Sequence, residues 1–284
     1  MGRKGFDLKT NEQILLMRKA GIVTGKALDA VRAAIRPGVT TEELDNIAHE
    51  TIVSLGGRSN FKLVPGYFHT ICASINDEIV HGIPAKNRTL QAGDMISIDC
   101  GAEVAGWNGD SAFTVVVPGG DPELTAKRQQ LSDVTEESLW AGIAAFAKAH
   151  KLNDVGIAVE NYIDSVENPS DSTGEWGILE QYVGHGIGRS MHEDPPVFNY
   201  ETRREANPKV NPGLVIAIEP MVVAGSNRTK ILDDGWTVST VDGSDASHWE
   251  HTVARHSRGI WVLTAHDGGA ERLAKYGVVP VALD

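Results

Sequence analysis

Only two cysteines, Cys72 and Cys100, occur in the 284-residue chain. That excludes a disulfide framework as the source of stability and makes a reducing compartment the expectation. Long apolar runs are missing too. Stretches such as 214–218 are strand-sized, far below the roughly 20 residues that cross a bilayer. The first ten residues lack the apolar segment of a secretory leader, and Phe6 stands where N-myristoylation would want Ser or Thr. Positive charge is scarce: 26 Lys and Arg against 38 Asp and Glu leave a net charge of −12. Nucleic acid is therefore not expected as the main ligand. Together these absences predict a soluble, cytoplasmic protein without membrane contact.

What is present reads as an α+β domain. Apolar residues recur at three- and four-residue spacing over 11–35, predicting a half-buried helix that Pro37 and Gly38 end. A second helix follows, with a capping Thr, acidic residues in its first turn and Gly56 at its close. Residues 61–117 are strand-rich and 118–122 break the pattern. Helices are predicted over 123–150 and 153–166, then a loop insertion over 167–175. Strands return from 177 to 262, and 268–277 reads as a short helix.

Two blocks repeat. Residues 93–99 and 213–219 both read Gly-x-x-Ile-x-Ile-acid, superposing Asp99 on Glu219. His-Gly-Ile precedes each copy, at His81 and His185, and Ile-Ala-x-Glu occurs in the second helix of each half, at Ile47 and Ile157. The expectation is one domain over 1–284, with an internal pseudo-twofold relating 11–117 to 123–262 and a tail over 263–284.

Acids interrupt the strands. Side chains of equal parity share a strand face, so Asp99 lies opposite Ile98 and Cys100. A hairpin turning near 105–109 would bring Asp99 close to Asp110. Glu219 ends an apolar strand, and Glu250 opens another. If these four carboxylates converge, burial and mutual repulsion would force them to protonate. Two divalent cations would balance the charge, and oxygen donors with one imidazole suit Mn, Fe, Co or Zn. The imidazole candidate is His185, flanked by Gly184, Gly186 and Gly188, with His192 seven residues on. The remaining histidines, among them His69, His248 and His251, read as ordinary packing or surface residues.

Taken together, the segments 72–84, 98–112, 182–197, 218–222 and 234–253 resemble the type I methionine aminopeptidases. The resemblance covers about 10–263. It implies a pita-bread fold, in which a pseudo-twofold α/β repeat places a central antiparallel sheet under helices. It also implies a dinuclear site of Asp99, Asp110, His185, Glu219 and Glu250, with Asp110 and Glu250 bridging the ions. Glu219 would also carry a proton. His81 and His192 would hydrogen-bond the scissile amide and the tetrahedral intermediate. Tyr67, Cys72, Met191 and Trp236 would line the pocket for the Met side chain. The implied substrate is the N-terminal Met of nascent polypeptides with a small second residue, with a monomer and transient ribosome contact as further expectations.

The sequence departs from that family at Val64, where an aromatic is common, at His69, and in the length of the 167–175 loop. Two alternatives share the fold: an X-Pro dipeptidase, which usually has a further N-terminal domain, and a non-catalytic binding module, which usually loses metal ligands.

Overall fold

A computed structural model describes residues 6–203 and 205–284. Helix α1 (Asn11–Ala34) starts at a capping box: the Thr10 hydroxyl accepts from Gln13 N–H while the Gln13 side chain accepts from Thr10 N–H. Thr40 and Glu43 repeat the device at α2 (Thr41–Ser54). The following strands are β1 (Arg58–Ser59), β2 (Ile71–Ile75), β3 (Glu78–Val80), β4 (Met95–Val104) and β5 (Trp107–Val116). Helix α3 (Pro122–Phe146) begins with Asp121 accepting from two backbone N–H groups and with proline in the first turn. It stops four residues before the predicted end at 150. Helix α4 (Asn153–Asp164) follows.

The second half continues with β6 (Gly177–Ile178), β7 (Gly184–Gly186), β8 (Glu193–Val197), β9 (Val215–Ile218) and β10 (Met221–Val223). It closes with β11 (Thr229–Ile231), β12 (Val238–Thr240), β13 (Ala246–His248), β14 (Glu250–His256) and β15 (Gly259–Val262), before a single turn, α5 (Ala270–Leu273). The 167–175 insertion contains no helix or strand.

Nine strands form the main sheet, in the order β1-β4-β5-β14-β9-β7-β8, with β2 also on β4 and β15 also on β14. Two three-stranded sheets, β13-β10-β6 and β11-β12-β3, flank it. β8 contains Pro195 and Pro196 and sits at the sheet edge, where a missing donor is tolerated.

One face of the main sheet packs on helices. Ile96, Ile98 and Cys100 of β4 meet Val31 of α1 and Leu44 of α2. Ile216 and Ile218 of β9 with Val253 of β14 meet Leu139 and Ile143 of α3. Each of these side chains, at most 2% exposed, contributes about 1.5–3 kcal/mol by leaving water. This is the α+β pita-bread architecture. The alternating residues of the same strands necessarily point to the other face, and the acids are among them. Among the described residues, no helix is long and apolar enough to cross a membrane.

One repeat correspondence does not survive. His185 lies within β7 of the main sheet, whereas His81 follows β3 of a flanking sheet, with a left-handed φ of 62°. The strand beside β4 is β2, ten residues upstream of His81 at Ile71, so the two His-Gly-Ile motifs occupy different settings.

Candidate metal centre

The sheet register builds the site. β4 and β5 turn through Ala105 and Gly106, both at positive φ, as a two-residue hairpin requires. The ladder then pairs Asp99 with Ala112 and Gly101 with Asp110. Directly opposed residues share a face, so Asp99 and Asp110 are diagonal neighbours above the sheet. On the far side of β5, Ala112 also pairs with Glu250. Ala112 therefore lies between two acids, with a single methyl on their face of the sheet.

β9 continues the row. Ala217 pairs with Thr252 on β14 and with His185 on β7. Glu219, two residues beyond Ala217, keeps the same facing. Between β5 and β14 the ladder ends early: Thr252 Oγ1 donates to Asp110 C=O at 2.8 Å and accepts from Asp110 N–H at 3.0 Å. A side-chain hydroxyl thus clamps the backbone that carries Asp110.

The five predicted donors meet around one cavity of about 170 Å³. Asp110, His185 and Glu250 each offer a ligand atom within 4.8 Å of the others. Glu219 Oε1 is 3.5 Å from His185 Nε2, and Asp99 lines the same cavity. His185 Nδ1 lies 2.9 Å from Gly186 C=O. Donation there places the proton on Nδ1 and leaves the Nε2 lone pair facing the acids, the tautomer a ligand needs.

Burial pushes the Asp110 carboxyl up to about 7. Burial, then Asp110 and Glu219, raise Asp99. Burial and Asp110 raise Glu219, and burial with the other three acids raises Glu250. Burial also lowers His185 and His81 to about 4, in each case with help from His192. The bare cluster therefore resists the charge that its chemistry requires.

Beside the acids the cavity becomes apolar. Tyr67, Cys72, Met191 and Trp236 come together in one cluster. The Tyr67 ring meets Trp236 edge-on at 5.1 Å, and its hydroxyl donates to Ile71 C=O at 2.7 Å. Phe61, Val64 and Ile83 complete that cluster; reading the sequence did not pick Phe61 or Ile83. His81 packs edge-on against Tyr182 at 5.5 Å between ring centroids, and His192 against His185 at 4.4 Å.

Residues 15–256 match Metallopeptidase family M24. The chain belongs to this family. It is similar to methionine aminopeptidase 1 of Mycobacterium tuberculosis, with 44% identity over 263 residues, covering 93% of this chain and 96% of the relative. It also resembles the crystal structure of methionine aminopeptidase from Thermotoga maritima, with a TM-score of 0.84 and 35% identity, covering 92% of this chain and 100% of that one. Prolidase from Pyrococcus furiosus shares the fold alone, at a TM-score of 0.68 and 19% identity, covering 91% of this chain and 65% of that one.

As an M24 metallopeptidase, the chain is a metal-dependent hydrolase, and its donor set fits a divalent metal. Asp99 Oδ1, Asp110 Oδ1 and Glu250 Oε1 are buried without a hydrogen-bond partner. Each such oxygen costs about 1–3 kcal/mol if left unmet, and a cation would engage them together. Oxygen donors plus one imidazole match a hard or borderline dication.

Two further groups of this M24 site escaped the sequence reading. Asn199 donates from Nδ2 to Glu219 C=O at 3.0 Å, fixing the turn that follows β9. His248, read as ordinary packing, has its Nε2 3.7 Å from Glu219 Oε2. The signal was present for neither: Asn199 lies in a polar loop, and His248 is one of ten histidines.

Proposed function

We propose that this chain removes the N-terminal methionine from peptides and nascent proteins with a small second residue, using two divalent cations held by Asp99, Asp110, His185, Glu219 and Glu250. The observation that carries this reading is a single cavity with a Tyr67/Cys72/Met191/Trp236 wall on one side and five metal donors on the other. A flexible thioether suits a lining of aromatic rings and sulfur, and the free α-amino group of the substrate suits the acidic end.

When bound, the cations neutralise the acids, polarise the scissile carbonyl and lower the pKa of water. Glu219 takes the water proton at a carboxylate oxygen and delivers it to the departing amine. His81 and His192 hydrogen-bond the substrate amide and the oxyanion, where negative charge develops. At neutral pH burial keeps His81 uncharged, so it donates through one N–H rather than competing with the cations. Asp110 and Glu250, which lie close to each other and to His185, would hold the ions at the centre of the donor row.

The two halves act as one catalytic domain, each contributing donors that the other lacks. The cell compartment is the cytoplasm, the chain works as a monomer, and nascent chains at the ribosome are its partners. Metal-stripped protein given Co, Mn, Fe or Zn and offered Met-Ala-Ser against Ala-Pro tests the reading. Methionine release from the first is expected. Preference for Ala-Pro would replace it with X-Pro cleavage, and no turnover with any metal would leave a binding module.

A further inference from the structure

His248 sits at the end of β13 with its backbone held at both poles. Its N–H donates to Thr114 Oγ1 at 3.0 Å, and the same hydroxyl donates to its C=O at 2.8 Å. The residue is 2% exposed, and its Nε2 is buried without a partner. A buried N–H left unmatched costs about 1–3 kcal/mol, so this imidazole has a reason to find an acceptor. The acceptor in front of it is Glu219 Oε2, at 3.7 Å. The other oxygen of the same carboxylate, Oε1, faces His185 Nε2 at 3.5 Å. Glu219 is thus bracketed by two imidazoles, one belonging to the metal donors and one not.

We propose that His248 is a positioning residue that donates from Nε2 to Glu219 Oε2 and so fixes the carboxylate plane, keeping Oε1 toward His185 and the metal donors. A closure of less than 1 Å brings Nε2 within ordinary hydrogen-bond distance. The bond sets which oxygen meets the metal and which carries the travelling proton, two tasks that a freely rotating carboxylate would exchange. This inference rests on the role given to Glu219 above.

The test compares the wild type with His248→Leu, which removes the donor, and His248→Gln, which keeps an N–H at similar reach. Each metal-stripped protein is titrated with Mn(II) in a calorimeter, its Co(II) form is recorded by visible absorption, and kcat and KM are measured on Met-Ala-Ser. In H248L the Mn(II) affinity and kcat are expected to fall about 10–100-fold, the range for a partner that orients a metal ligand. KM should stay within about twofold and the cobalt bands should shift. H248Q should restore affinity, spectrum and kcat to within about threefold. Should H248L fail to fold by circular dichroism, His248→Phe carries the same expectation. An H248L or H248F protein with wild-type affinity and cobalt spectrum overturns the proposal, as does H248Q impaired equally with H248L. Methionine release by the wild type reports on the proposed function alone, whereas the calorimetric and spectral arms read His248 directly.

Discussion

The first half of the chain delivers its two acids on one hairpin, and the second half delivers its three donors on three separate strands. Asp99 and Asp110 ride a ladder of ten consecutive pairs, from Met95 with Val116 to Val104 with Trp107. His185, Glu219 and Glu250 sit on or beside strands of three, four and seven residues. The geometry of the first pair follows from a two-residue turn. That of the second trio depends on long-range register, on Asn199 and His248 around Glu219, and on the Thr252 hydroxyl at the seam. Local structure thus fixes one side of the cage, and tertiary packing assembles the other.

The same contrast explains what the sequence made legible. Alternation and a turn sufficed to bring Asp99 near Asp110, and the capping Thr40 marks the start of the second helix because its chemistry is local. Glu219 reads as an acid ending an apolar strand and Glu250 as one opening another, but their nearness to His185 came only through family resemblance. The equivalence of His81 and His185 failed because three shared letters carry no information about which sheet a strand joins. Phe61 in the pocket, Ile83 packed against its apolar cluster and His248 behind Glu219 were missed, since each resembles a core residue until its neighbours are known.

Breaking the cage at its centre should have the largest effect. Asp110→Asn is expected to lower kcat by more than about 100-fold, beyond the loss typical of a residue that only orients a ligand. Metal content of the purified variant should fall with it. Full turnover with full metal content would remove Asp110 from the site.

The tie between the N-terminal arm and the second half comes next. Lys9 pairs with Glu193, their side chains 2% and 15% exposed, and Lys9 N–H donates to Gly213 C=O at 2.7 Å. Glu193 Oε1 also accepts from Ser190 N–H at 3.0 Å, bracing the loop that carries Met191 and His192. Lys9→Met strands a largely buried carboxylate, so a stability loss of about 3 kcal/mol is expected by denaturant titration, with a raised KM. An unchanged midpoint and KM would show that the loop holds itself.

The turns before the matching strands give a finer comparison. Gly93 and Gly213 have φ of 87° and 98°, a conformation costly for residues with a Cβ. A Cβ would meet Gly120 Cα at 3.1 Å in the first case and Lys9 C=O oxygen at 2.7 Å in the second. Gly213→Ala should cost more than Gly93→Ala, each within about 1–3 kcal/mol by thermal unfolding. The reverse order would place the tighter turn in the first half.

The smallest effect concerns the metal-free protein. Folding raises Asp110 to about 7 from an ordinary value of 3.8, and Asp99, Glu219 and Glu250 move the same way. Between those values the folded state binds more protons than the unfolded one, so stability falls as pH rises. Calorimetry in a chelator should therefore show Tm decreasing from pH 4 to pH 7 through these groups, and added Mn(II) should flatten the slope. A slope unaffected by metal would assign the titration to other residues.

The alanines beneath the acids have a consequence of their own. Ala112 touches acids on both neighbouring strands, and Ala217 stands between Thr252 and His185. Two methyl groups therefore lie in the row of strand positions that carries the donors. Replacing either with valine would add bulk between paired donors while leaving every donor in place, so the spacing of this centre depends in part on residues that perform no chemistry at all.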